Sequence, residues 1–224
     1  MALQSSSIHR LASYGTSTLT VSKTIAGSDL YLIVKIGHAS NADQVTSVTW
    51  GGVALTDLKN SGTGGATAIA HIYGGVPAAG TADVVVTASS VYADFAVIIE
   101  IWEGISGVGG TTWGGGNAFQ SSPRSDAVTI GSGNYATDII VCGAASTAFT
   151  VSGSQTQTQQ TGGAPYANRS AGSYLQDATA MAWTWTAGTS HIGHAVVELL
   201  ASGGGGGSSI VPIASNSYRL RRAA

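Results

Sequence analysis

The sequence predicts an all-β fold: a two-sheet antiparallel β-sandwich of jelly-roll type, followed by a flexible C-terminal tail. Three observations predict it. Apolar and polar residues alternate with period two along most of the chain, and no helical period of useful length interrupts them. Short runs rich in β-branched and aromatic residues are punctuated by Gly, Pro and Ser roughly every ten residues. The second half of the chain also echoes the first.

Composition supports the same class. The 224 residues are 43% hydrophobic, enough for a substantial core, but only 9% charged, against roughly 25% in an ordinary soluble domain. The apolar content argues against disorder, and no apolar run approaches the ~20 residues of a membrane helix. Ser, Thr, Asn, Gln and Gly must therefore cover the surface. A net charge of −2 offers no attraction for nucleic acid or acidic lipid, so neither is expected as a partner. Cys142 is the single cysteine and sits in the apolar stretch Asp138–Cys142, where it reads as a small buried hydrophobe. The start, Met1-Ala2-Leu3-Gln4 before three serines, lacks the basic and apolar regions of a signal peptide. Synthesis in a cytoplasm without Sec export is the expectation.

Taken in order, Leu19, Val21 and Ile25 mark the first predicted strand, preceded by a short Ser-rich arm. Leu30 to Ile36 is a near-continuous apolar run broken by Lys35, as in a central strand. Val45 to Trp50 alternates into the turn Gly51-Gly52, and Val53-Ala54-Leu55 continues beyond it. Ala66 to Tyr73 is the next strand; Pro77 to Gly80 is a turn; Ala82 to Ala88 and Tyr92 to Glu103 are strands. Gly104 to Ser125, rich in Gly and Ser, reads as a long loop, and Ser154 to Thr161 as an exposed polar tip. In the repeat, Ser28–Val34 is echoed by Tyr135–Val141, and Gly37-His38-Ala39-Ser40 by Gly143-Ala144-Ala145-Ser146. The pair 82–88 and 92–102 is echoed by 180–186 and 191–200. Two sets of about four strands suit one jelly roll, which has eight strands in two Greek keys. The domain is expected to span residues 1–202. Residues 203–224 then form a glycine linker, Gly203 to Gly207, and a basic tail.

No constellation built for catalysis is visible, and no cofactor or metal is expected. His191, His194 and Glu198 have superficial metal-ligand spacing, but on a strand positions 191 and 194 face opposite sides. His38 and His71 are isolated in sequence. Glu100 and Glu103, a pair that glycoside hydrolysis would require to converge, also have opposite parity and read as a solvated edge. Glycine clusters such as Gly62–Gly65 lack the Lys-Ser/Thr ending of a phosphate loop. Trp50, Trp102, Trp183 and Trp185 fall in strands, and Met181, Trp183 and Trp185 share a face. That face suits a core or a subunit interface; the alternative is a sugar-stacking platform. Trp113 and Phe119, in the Gly-rich loop, are candidate partner contacts. In the tail, Ile210, Val211 and Ile213 could add a strand to a neighbour, with Tyr218, Arg219, Arg221 and Arg222 meeting acidic groups. The other reading of the tail is a solubilising segment.

Val48-Thr49-Trp50-Gly51-Gly52-Val53-Ala54-Leu55-Thr56, then Ile72-Tyr73-Gly74-Gly75-Val76-Pro77-Ala78-Ala79-Gly80-Thr81 and Val84-Val85-Val86-Thr87, resembles a β-sandwich module of tailed-phage virion structural proteins. That module also occurs in bacterial surface proteins. Ile101-Trp102-Glu103-Gly104-Ile105 is similar to the family's strand-plus-Gly pattern. The matched stretch covers roughly residues 17 to 108, and no catalytic residue comes with it. The resemblance implies a capsid decoration (cement) protein of the virion, a homotrimer bound to the major capsid protein or another virion protein. The alternative is a receptor- or carbohydrate-binding module on a tail or fibre.

Overall fold

The computed structural model describes residues 1–11, 17–40, 42–62, 68–90, 94–115, 119–120, 122–143, 148–161, 169–185 and 190–203, of which 111–115, 119–120 and 190 are described by backbone alone. The fold is all-β and antiparallel, as the alternation predicts. The first half carries β1 (Ala2–Leu11), β2 (Thr18–Ile25), β3 (Leu30–His38), β4 (Val45–Trp50), β5 (Val53–Ala54), β6 (Thr56–Asn60), β7 (Ile69–Gly75), β8 (Gly80–Ala88) and β9 (Phe95–Glu103). The second carries β10 (Ile105–Gly115), β11 (Phe119–Gln120), β12 (Arg124–Ala127), β13 (Tyr135–Cys142), β14 (Phe149–Val151), β15 (Thr156–Gln160), β16 (Arg169–Gln176), β17 (Ala180–Trp185) and β18 (Ser190–Ala201). Among the described residues no helix is long and apolar enough to cross a membrane.

Each half is a sandwich in its own right. The first pairs its strands as β1-β9-β3-β7-β6 over β2-β8-β4-β5, and the second as β10-β18-β13-β16-β15 over β12-β17-β14. β5 and β6 are one strand that crosses between sheets at Leu55, and β11 continues β10 along β18. With those joins the two halves have the same strand order, that of an eight-stranded jelly roll. The repeat legible in the sequence is thus a tandem pair of jelly rolls, where one roll divided between the halves was expected. The undercount has a physical origin: the strands missed were those with little apolar content.

Three such segments show it. Ala2–Leu11, read as an arm, pairs with β9 along its length. The Gly-rich stretch read as a loop supplies β10 and β11, both held against β18. The polar stretch read as an exposed tip is β15, paired with β16. Gly and Ser disfavour strands intrinsically, but a well-formed neighbouring strand supplies the ladder.

The four sheets stack as outer, inner, inner, outer. Leu32, Val34, Ile36, Val97 and Ile99 of the first inner sheet pack on Val48, Trp50, Val84 and Val86 of its outer sheet. The opposite faces of the two inner sheets meet through Ile33, Ile72 and Trp102 on one side and Ile139, Val141, Val197 and Leu199 on the other. Trp102 lies edge-on to Tyr174 and tilted against Tyr135. In the second half, Ile140, Cys142 and Ile192 pack on Phe149, Trp183 and Trp185. The inner strands are therefore covered on both faces. Glycine allows the close approach: a Cβ on Gly193 would lie 2.8 Å from the Ala68 carbonyl oxygen, and one on Gly37 would overlap the Ser170 hydroxyl.

A buried polar group spans this inner interface. Lys35 Nζ lies 2.6 Å from Glu100 Oε1, and neither side chain is exposed. Trp102 Nε1 and the Thr137 hydroxyl donate to Glu100 Oε2, and Thr158 of β15 donates to Oε1. Glu100 is thus a fully bonded interior anion, contrary to the solvated-edge expectation. Its strand has a second jelly roll on the face that a lone sandwich would leave wet. Glu103, of opposite parity, is exposed and accepts from Gln4.

Candidate functional site

The β4–β5 hairpin turns through Gly51 and Gly52, whose φ values are 54° and 83°. Two consecutive left-handed residues make a type I′ turn, which suits the twist of a tight hairpin and favours glycine at both positions. The turn brings Trp50 to Leu55 beside the β7–β8 connection, Gly74 to Ala82. Between them lies a cleft of about 460 Å³. Its lining is apolar: Trp50, Val53, Leu55, Val76 and a run of alanines and glycines. Val53 and Val76 are 70% and 75% exposed, the exposed large hydrophobic residues among those described. The residues that build this cleft fall in the segments 48–56 and 72–81, with Ala82 just beyond.

The second jelly roll has a cleft in the corresponding place, after β14 and between β16 and β17. It measures about 440 Å³ and is lined by Ser152, Ser154, Gln155, Gln176, Asp177 and Thr179, with Leu175 and alanines. One architecture thus presents a mainly apolar cleft, with Thr56 and Thr81, in the first roll and in the second a cleft that carries hydroxyl, amide and carboxylate groups.

The interiors differ in the same sense. His194 of β18 is buried between the two sheets of the second half, with Nδ1 2.6 Å from Asp126 Oδ2 and Nε2 2.8 Å from Asp138 Oδ2. Asp138 also accepts from Trp183 Nε1 and from the Ser173 amide and hydroxyl. Arg124 pairs with Asp126. Burial opposes a charge on His194, but the two carboxylates outweigh it and raise its pKa above the ordinary value. Burial likewise opposes ionisation of Asp126, and His194 and Arg124 outweigh it, holding its pKa low. Both ring nitrogens of His194 are engaged by carboxylates, so neither faces an open metal position. Glu198 accepts from the Gly131 amide and Asn134. The His191/His194/Glu198 spacing therefore does not converge.

The remaining sequence-derived candidates are placed as follows. Trp113 lies in β10 opposite Val196, and Phe119 in β11 opposite His191. Ile210, Val211, Ile213, Tyr218, Arg219, Arg221 and Arg222 lie outside the described residues. Trp102, Trp183 and Trp185 are buried in the interior, and Trp50, 5% exposed, reaches only the wall of the apolar cleft, so none of the four offers an open face as a sugar platform. Cys142 is buried in the second core.

One cluster was not readable from spacing. His38 at the end of β3 and His71 on β7 stack with ring centroids 5.5 Å apart and 12° between planes. Asp43, from the connection to β4, lies 3.3 Å from His71 Nε2 and 4.0 Å from His38 Nε2. Burial, with His71 adding to it, pushes the His38 pKa down to about 3. Burial raises the Asp43 carboxyl, but His71 and the Val45 amide outweigh it and hold it below its usual range.

No family model, curated protein or solved structure matches this chain.

Proposed function

We propose that this chain is a non-enzymatic virion structural protein, a capsid decoration protein that binds and stabilises a phage head as a homotrimer. The observation that carries this reading is the apolar cleft at Trp50–Leu55 and Gly74–Ala82. It is built by the residues that resemble the virion module, and it leaves Val53 and Val76 uncovered. A chain with so few charges must draw affinity from apolar and backbone contacts, and this cleft offers both. The glycine linker and the tail from Ile210 to Arg222 add a tethered second contact, in which proximity strengthens attachment.

A second reading is a receptor- or carbohydrate-binding module on a tail or fibre. It is supported by the cleft at Ser152–Gln155 and Gln176–Thr179, whose hydroxyl and amide groups over a partly apolar lining match a sugar's.

The test is light scattering of the full chain and of a 1–202 truncation, alone and with purified capsid shells. A discrete trimer that decorates shells, and does so less well without its tail, is the expected result. Val53→Asp with Val76→Asp should abolish decoration. A monomer that ignores shells overturns the decoration reading; saturable glycan binding lost on Asp177→Asn would favour the second.

A further inference from the structure

We infer that His38, His71 and Asp43 form a binding site for a divalent first-row transition metal ion, with zinc the best fit. The inference is independent of the proposed role on a virion.

Two observations carry it. The first is convergence: one donor atom from each of the three side chains lies within 4.8 Å of the other two. A tetrahedral zinc with ~2.0–2.1 Å bonds needs donors ~3.3 Å apart. The His71–Asp43 pair is already at 3.3 Å. The widest separation closes with about 1.5 Å of side-chain movement, within the range of small χ rotations on a surface connection.

The second is the state of the imidazoles. Both side chains are about 1% exposed, and none of their four ring nitrogens makes a well-formed hydrogen bond among the described residues; His71 Nε2 has only Asp43, at 3.3 Å. Buried polar groups are normally satisfied, and an orphaned one is costly. Two stacked histidines with one shared carboxylate and no well-formed hydrogen bond are therefore an anomaly if the site binds nothing. A bound cation resolves it, because each neutral imidazole offers a lone pair to the metal. The ligand set, two imidazoles and one carboxylate, suits borderline ions such as zinc better than magnesium or calcium, which prefer all-oxygen shells.

Placement defines what the ion would do. His38 and His71 sit at one end of the first core, beside Phe95 and Tyr73. Asp43 is 38% exposed and belongs to the connection between β3 and β4. A metal there ties that connection to the inner sheet and leaves a fourth position on the solvent side for water or a ligand from outside. Among the described residues the second jelly roll shows no counterpart: the residue paired with Cys142, where the first half pairs His71 with Ile36, is Arg169.

The experiment is titration of the full chain, stripped with EDTA and dialysed, with zinc chloride by calorimetry and thermal denaturation. One equivalent should bind per chain and raise Tm, and cobalt(II) in its place should give the absorption of a low-coordinate nitrogen–oxygen site. Asp43→Asn keeps an oxygen for the Val45 amide, so its metal-free melt should match the native chain. Its zinc affinity should fall at least ~10-fold, the lower range seen even for outer-shell changes. His71→Gln should do the same, while His9→Ala should bind as the native chain does. Absence of stoichiometric binding to the native chain overturns the inference. So does native-like binding by both Asp43→Asn and His71→Gln.

Discussion

The two jelly rolls of this molecule share a strand order but not an interior. In the first, Leu32 and Val34 of β3 face Ile101 and Ile99 of β9, and the space between sheets around them is apolar. In the second, the corresponding pairs are Asp138 with Val196 and Ile140 with His194. Two isoleucine-sized or leucine-sized positions have become a carboxylate and an imidazole, with Asp126, Arg124, Trp183 and Ser173 gathered around them. The fold tolerates both solutions at these positions because the groups buried there are either apolar or bonded. An apolar core needs no partners, and a polar one is stable only when every member has its own. The histidines make the same point: two carboxylates raise the pKa of His194 against its burial, while burial lowers that of His38.

That comparison can be broken by moving one group at a time. Leu32→Asp should have the largest effect, more than about 4 kcal/mol, because it buries a carboxylate with no partner; urea denaturation measures it. Asp138→Leu, the reverse exchange, should cost about 3–5 kcal/mol by stranding His194 and the Trp183 indole N–H. Adding His194→Ile should recover part of that loss, with a coupling of about 0.5–3 kcal/mol. Strict additivity of the two changes would mean the network is not a unit.

A smaller effect follows from pH. Folding raises the pKa of His194 above 6.5, so its contribution is fully present below pH 6.5 and is lost as pH rises through the higher folded value. Folding lowers the pKa of Asp126 below 3.8, so its contribution is present above pH 3.8 and lost as pH falls through the lower folded value. The network therefore acts at full strength between those limits. The Tm difference between the native chain and His194→Gln should shrink on going above neutral pH, and parallel profiles would count against a charged His194. Least affected should be the exposed cleft: Val53→Ser and Val76→Ser should each change stability by no more than about 0.5 kcal/mol, checked by thermal melts. A larger loss would show that the cleft is structural.

The fold class was legible because period-two alternation and glycine turns are local. The Gly51-Gly52 turn, the strands at 30–36, 45–50 and 82–88, and the burial of Cys142 and the four strand tryptophans all follow from neighbours in sequence. The repeat was legible too, but one residue out of register. Matching Ser28–Val34 to Tyr135–Val141 sets Leu32 against Ile139, whereas the faces set Leu32 against Asp138 and Ile33 against Ile139. A one-residue slip exchanges the faces of a strand. Strands buried on both sides carry no alternation to prevent it, and β3 is buried throughout.

What the sequence determined by itself is therefore the class of structure, the main turns and the existence of a duplication, because each rests on contacts between near neighbours. The tertiary structure alone decided that two rolls stack back to back, that Glu100 and Lys35 lie between them, and that Gly-rich and Gln-rich stretches become strands. It also decided that His38 meets His71 and Asp43. Those outcomes depend on pairing between β3 and β7, β10 and β18, and one half with the other. Such long-range contacts leave no periodic mark on the residues that make them.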